Sequence, residues 1–65
     1  MKVKEIIKIS EDDGWYLART KGSHRQFKHP EKAGTVTVSG NLDVDMPIGT
    51  LKNVLQQAQI NEEED

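Results

Sequence analysis

The beginning of the chain repeats its apolar positions with the period of an α-helix. One face of "KVKEIIKISEDDG" carries its least polar residues, which are Val3, Ile6, Ile7 and Ser10. Lysines and acids fill the other positions, which is the arrangement of an amphipathic helix. Gly14 can take the left-handed conformation that ends many helices. The pattern therefore predicts a first helix that ends near Asp13.

The middle of the chain changes to the pattern of β-strands. "GWYLART" and "HRQFKH" hold apolar residues without helical spacing, and Gly22 in the intervening "KGSH" suits a tight hairpin turn. Pro30 ends the second strand because proline has no N–H to donate to a neighbouring strand. "TVTVS" then alternates, with Val36 and Val38 on one face and threonines on the other. These segments predict a three-stranded antiparallel meander.

The last apolar pattern predicts a second helix in "PIGTLKNVLQQAQI". Its buried face is expected to hold Leu51, Val54, Leu55 and Ala58. Pro47 suits the first helical position and Asp45 suits the N-cap. Residues 1–60 are thus predicted to form a single α+β domain of order α-β-β-β-α, with both helices on one face of the sheet. The acidic tail, 61–65, has nothing apolar to bury and is expected to be frayed.

Size and composition exclude several classes of protein. The chain has 65 residues and no cysteine, so it forms no disulfides and no thiolate metal site. No apolar stretch reaches the length of a membrane span or of a secretory signal segment. We therefore expect a cytoplasmic protein without membrane association.

The formal net charge of −2 conceals a basic middle. Residues 1–14 sum to −1, residues 15–40 to +4 and residues 41–65 to −5. The cations of the middle segment are Arg19, Lys21, Arg25, Lys28 and Lys32. Such a cluster in an acidic chain indicates a local anion-binding patch. The alternative is a solvated strand surface on which the charges cluster by chance.

Alternation along the second strand separates the two histidines. Phe27 is its only large apolar residue and should point into the core, with Arg25 and His29 on the same side but reaching solvent at the strand ends. The face turned to water then carries His24, Gln26 and Lys28. Most lone surface histidines have no role, but an imidazole can exchange a proton near neutral pH, so His24 is a candidate acid or base. We interpret His29 as structural or incidental.

Three segments in this order carry a resemblance: "DGW", "KGSHRQF" and "PIGTLKNVL". From the first helix to about Ile60 the chain resembles the HicA family of toxins from bacterial and archaeal HicA–HicB toxin–antitoxin systems. The resemblance implies a double-stranded-RNA-binding-domain-like fold, an mRNA interferase activity that arrests translation, and a HicB antitoxin that covers the toxin's site. The family's catalytic histidine lies in its Gly-Ser-His stretch, which corresponds to His24.

RNA cleavage of this kind needs no metal or cofactor, because the 2′-hydroxyl can attack the adjacent phosphate. His24 would act as general base or general acid, and no metal-ligand spacing accompanies it. The predicted substrate-binding residues are Arg19, Lys21, Gly22, Ser23, Arg25 and Lys28. Arg25 and Lys28 are candidates for stabilising phosphate charge, whereas Arg19 and Lys21 would position the RNA backbone.

Two other functions stay open at this level. The segment 39–46, within "SGNLDVDMP", has acids where the family commonly has histidine and basic residues, which favours a non-catalytic RNA-binding module or an inactive toxin homologue. In another interpretation the exposed sheet face docks a protein and binds no nucleic acid. By parity one of Trp15 and Tyr16 faces outward. If it is Tyr16, base stacking becomes available, although core or rim packing is the commoner role.

Overall fold

The computed structural model describes residues 1–60 as an α+β fold with the predicted order of elements. Its elements are α1 (Val3–Asp12), β1 (Tyr16–Lys21), β2 (His24–Lys28), β3 (Val36–Val38) and α2 (Ile48–Gln57). The strands form one antiparallel sheet of order β1-β2-β3. The predicted fold class is therefore confirmed. The prediction of a frayed tail at 61–65 lies outside the described residues.

The first helix ends as the sequence predicts, in a Schellman motif. Gly14 has φ +109°, and its N–H donates to the carbonyl of Glu11 at 2.9 Å, while the N–H of Trp15 donates to Ser10 at 3.0 Å. These two bonds satisfy carbonyls that the helix itself leaves free. The buried Ser10 hydroxyl donates to the Ile6 carbonyl at 2.9 Å. The chain therefore turns sharply from α1 into β1.

One hydrophobic core lies between the sheet and the two helices. Its buried members are Val3, Ile6, Trp15, Phe27, Val36, Val38, Met46, Val54 and Ala58. The indole Nε1 of Trp15 donates to the Ala58 carbonyl at 3.1 Å, which ties the start of β1 to the end of α2. The predicted inward faces of Phe27 and of the β3 valines are confirmed. On α2, Val54 and Ala58 are buried, and Leu51 and Leu55 are partly so.

The start of the second helix differs from the prediction. Pro47 is the N-cap residue, with φ −57° and ψ 145°, and no side chain caps the helix. Asp45 consequently lies two positions before the cap. It forms an isolated bridge with Lys2, and its carboxylate lies 3.9 Å from the N-terminal ammonium group of Met1. The prediction that Asp45 caps α2 was wrong because the proline keeps the backbone extended one residue longer.

The second helix ends in the same motif as the first, but without a glycine. Gln59 has φ +56°, and its N–H donates to Gln56 at 3.1 Å, while the Ile60 N–H donates to Leu55 at 3.0 Å. A side chain at positive φ is strained. The side-chain amide of Gln59 donates to the Ala33 carbonyl at 3.1 Å, which partly offsets that strain.

Candidate nucleic-acid interface

The hairpin between β1 and β2 presents His24 at its tip. Lys21 and His24 face each other across the strands, so Gly22 and Ser23 form a two-residue loop. Gly22 has φ +62°, and Ser23 has a negative φ, which are the signs of a type II′ turn. A Cβ at Gly22 would meet no atom within 4 Å. Backbone conformation, and not lack of space, therefore calls for glycine here.

The sheet surface opposite the core, called the open face below, is built from three cross-strand pairs. These are Tyr16 with Lys28, Arg19 with Gln26, and Lys21 with His24. The third strand adds Thr37 beside Gln26. Just before that strand, the hydroxyl of Thr35 accepts a hydrogen bond from Lys28 Nζ at 3.2 Å. The open face is thus a polar surface with a histidine at one end and a tyrosine at the other.

A β-bulge in the first strand decides which of its side chains reach the open face. The pairing shifts between Leu17 and Arg19, which leaves Ala18 as an extra residue. In an unbroken strand Arg19 and Lys21 would share the face of Leu17, because side chains alternate. The bulge turns both cations onto the face of Tyr16. Sequence reasoning missed this feature, and the sequence offers no clear signal for it.

The cations of the open face differ from three of the lysines on other parts of the structure, which pair with carboxylates. Within residues 1–60, Arg19, Lys21 and Lys28 form no ion pair with a carboxylate. These paired lysines are Lys4 with Asp43 at 3.2 Å, Lys8 with Asp12 at 3.8 Å and Lys32 with Asp13 at 2.6 Å. No acidic residue belongs to the cross-strand pairs of the open face. Within residues 1–60 the open face is therefore a positive surface without carboxylate partners.

His24 itself is exposed. Among the described residues its imidazole makes no hydrogen bond within the chain, and the nearest position across the ladder belongs to Lys21. Directly opposite residues have Cβ atoms about 5 Å apart. The side chains of His24 and Lys21 thus leave neighbouring positions on the open face.

Arg25 is not brought together with His24. It pairs with Thr20 and Val38 on the side of the sheet that faces the helices, and its Nη1 donates to the Gly40 carbonyl at 3.0 Å. The guanidinium therefore holds the segment that follows β3. Of the sequence-predicted binding residues, the open face brings together Arg19, Lys21 and Lys28, with Gly22 and Ser23 at the adjoining turn.

The second histidine has an unambiguous structural environment. The side chain of His29 is 6% exposed, so the prediction that it reaches solvent was wrong. Its Nδ1 accepts the N–H groups of Glu31 at 3.0 Å and Lys32 at 3.1 Å, which assigns the ring proton to Nε2, 2.7 Å from the Asp13 carbonyl. The ring also meets Trp15 edge-on, with centroids 5.1 Å apart. The turn after Pro30 folds the chain back over the imidazole and covers it.

The segment 39–46, which contains the acidic residues Asp43 and Asp45, contacts the start of the first helix. The carbonyls of Val44 and Leu42 accept the N–H groups of Val3 at 3.0 Å and Lys4 at 3.1 Å. The side chain of Asp43 pairs with Lys4. These contacts lie at the start of α1, so the acidic residues of this segment serve the helix terminus and are not part of the open face.

Within residues 1–60 no three side chains of His, Cys, Asp or Glu come together as a group that could hold a metal ion. Neither described helix has the length and apolar content required to cross a membrane. The model of a protein family described as "HicA toxin of bacterial toxin-antitoxin" matches residues 3–60. A comparison with curated proteins gives no significant match.

Proposed function

The chain belongs to the HicA family of toxins, and from this premise we propose that it is an mRNA interferase, a metal-independent endoribonuclease that cuts RNA with His24. As a toxin of a toxin–antitoxin system it has an antitoxin as its partner. One observation carries the proposal. The exposed His24 shares a face with Arg19, Lys21 and Lys28, which form no ion pair with a carboxylate within residues 1–60.

RNA binding would follow the three pairs of the open face. Successive residues on one face of a strand are about 7 Å apart, so the cations form a row along which a phosphate backbone can lie. Contacts of this kind are largely independent of base sequence and weaken as salt rises. Because Arg25 lies on the other side of the sheet, we give it no phosphate contact. Lys21, directly opposite His24, takes the role of stabilising charge at the reacting phosphate.

His24 would act on the 2′-hydroxyl beside the scissile phosphate. The neutral imidazole accepts the hydroxyl proton, the 2′-oxygen bonds to phosphorus, and the bond from phosphorus to the 5′-oxygen breaks. The products are a 2′,3′-cyclic phosphate and a 5′-hydroxyl, whose proton comes from water or from the imidazolium. Such general acid–base help contributes about 10²–10⁴-fold to a rate. The Lys21 ammonium offsets the negative charge that grows on the phosphate in the transition state.

The proposal extends to the partner and the place of action. A HicB-type antitoxin would block the toxin by covering the open face, where it would exclude RNA sterically and neutralise the cations. The substrate is mRNA, and the place of action is therefore the cytoplasm. Loss of translation follows from loss of intact message.

A second candidate function is RNA binding without cleavage, as in an inactive homologue. The observation in its favour is that no side chain within residues 1–60 hydrogen-bonds to the His24 imidazole to orient it. Acid–base histidines usually have such a partner. Binding alone needs only the row of cations.

The test compares RNA with DNA of the same sequence, incubated with the purified protein in EDTA. The proposal predicts cleavage of RNA alone, with 2′,3′-cyclic phosphate ends, and no cleavage at a position carrying a single 2′-deoxynucleotide. Cleavage at the 2′-deoxy position, or ends with a 3′-hydroxyl, would contradict the route through the 2′-hydroxyl. Salt-sensitive binding to RNA without any product would support the second candidate.

A further inference from the structure

The open face holds one large aromatic side chain that the proposed chemistry does not use. Tyr16 is 52% exposed and pairs with Lys28 across the sheet, at the end of the open face away from His24. Its neighbour Trp15 is buried, with 2% exposure. The bulge that brings Arg19 and Lys21 to this face also aligns them with Tyr16.

The ring of Tyr16 has no partner within residues 1–60. The phenolic oxygen makes no hydrogen bond there, and the aromatic pair in this part of the chain is Trp15 with His29. Lys28, opposite Tyr16, donates from its ammonium group to the hydroxyl of Thr35 at 3.2 Å. Thr35 lies just before β3, on the side of Lys28 away from β1. The half-exposed phenol ring therefore has no aromatic or hydrogen-bonding partner among the described residues, and it lies on the same face as a row of cations.

From this placement the geometry points to Tyr16 as a stacking platform for an unpaired base of the RNA. The inference rests on the proposed function and narrows the substrate to single-stranded or locally unpaired RNA. Bases within a duplex stack on one another and present no free face to a side chain, whereas unpaired bases stack on aromatic residues. The cations contact the phosphates of the RNA, and the ring of Tyr16 stacks on one base. Cleavage is therefore directed to sites where a base can unstack from its neighbours.

The register also limits which nucleotide is held. Lys28 and His24 are the ends of β2, and their four-residue separation corresponds to about 13 Å along a strand. A stacked nucleic-acid strand covers this distance in about four nucleotides, at about 3.4 Å each, and an extended strand needs fewer. The stacked base therefore lies within four nucleotides of the scissile phosphate.

The experiment measures dissociation constants, so it does not depend on cleavage. Wild type, Tyr16→Ala, Tyr16→Phe and the control Leu17→Ala are titrated with a single-stranded RNA that carries 2′-deoxynucleotides to prevent its cleavage. Leu17 is equally exposed at 51% but lies on the other side of the same strand, opposite Phe27. Tryptophan fluorescence of each variant verifies that Trp15 remains buried. The titration is repeated with oligonucleotides that have one abasic position moved along the sequence.

Stacking on one base predicts that Tyr16→Ala weakens binding about 5-fold or more, whereas Tyr16→Phe and Leu17→Ala stay within about 2-fold. One abasic position should weaken binding to wild type by the same factor and leave binding to Tyr16→Ala unchanged. The inference is overturned if Tyr16→Ala binds like wild type or if a continuous duplex binds more tightly than the single strand. It is also overturned if Tyr16→Ala binds every abasic oligonucleotide more weakly than wild type does. A loss of antitoxin binding alone, with RNA binding unchanged, also overturns it. Failure of the proposed function is distinguishable from failure of this inference, because it appears as absence of cleavage of unmodified RNA and not as a change in binding.

Discussion

Replacement of His29 by alanine should remove a large part of the stability of the fold, although this histidine plays no part in the proposed chemistry. The imidazole makes three hydrogen bonds to main-chain groups, two accepted by Nδ1 and one donated by Nε2. A hydrogen bond contributes about 1 kcal/mol net, and an edge-on aromatic pair such as that with Trp15 adds about 0.5–1.5 kcal/mol. The sum is about 4 kcal/mol.

That figure is large for a chain of 65 residues. At about 0.05–0.15 kcal/mol per residue, its total free energy of unfolding is about 3–10 kcal/mol. His29→Ala should therefore lose between about two-fifths and all of the free energy of unfolding. His24→Ala should change the free energy of unfolding by less than about 0.5 kcal/mol, since an exposed side chain without contacts contributes little.

Urea unfolding measures both variants through the single tryptophan, Trp15, which reports the core directly. A third variant, His29→Phe, keeps the ring against Trp15 and removes both nitrogen atoms, so it separates hydrogen bonding from packing and stays measurable if His29→Ala does not fold. We expect it to lose about 3 kcal/mol. A loss below about 1 kcal/mol for both His29 variants would refute the assignment of this histidine as the structural link between the turn and α1.

Three further predictions concern turns and charge. A Cβ on Gly14 would lie 2.7 Å from His29 Nε2, and Gly14 has φ +109°. Gly14→Ala should therefore lower the free energy of unfolding in urea by more than about 2 kcal/mol. Adding His29→Phe to the same chain should not restore this loss, because the backbone strain remains. Gln59→Gly should raise stability by about 0.5 kcal/mol, because relief of the positive φ exceeds the loss of an exposed side-chain hydrogen bond; a drop in the thermal midpoint would contradict this. Lys21→Ala should lower the slope of log affinity for single-stranded RNA against log salt by about 0.7, whereas Lys8→Ala, which removes a paired lysine on α1, should leave the slope unchanged.

Periodicity predicted the elements well because each has one apolar face and a recognisable end. The face of Phe27 and of the β3 valines follows from simple alternation, and the end of α1 follows from Gly14 after the last helical turn. The exposure of His24 and Lys28 could be predicted in the same way, since β2 has no irregularity between its ends.

The remaining features depend on tertiary geometry that alternation does not encode. The bulge at Ala18 moves the side chains of Arg19 and Lys21 to the face opposite the one that alternation predicts. Nothing in the residue types of β1 requires this bulge. His29 is covered because the chain folds back after Pro30 and directs two N–H groups at the ring. Arg25 lies on the face of β2 that alternation predicts. Its guanidinium donates to the Gly40 carbonyl, an intramolecular contact that the sequence pattern does not show.

The most direct test of the central claim measures binding and cleavage of one RNA by wild type and by His24→Ala, in EDTA. The account predicts that His24→Ala binds the RNA with a dissociation constant within about 2-fold of wild type, since the open-face cations are intact, and that its single-turnover cleavage rate falls by about 10²-fold or more. Equal cleavage by both proteins, each shown to be folded, would contradict the assignment of His24 as the catalytic residue.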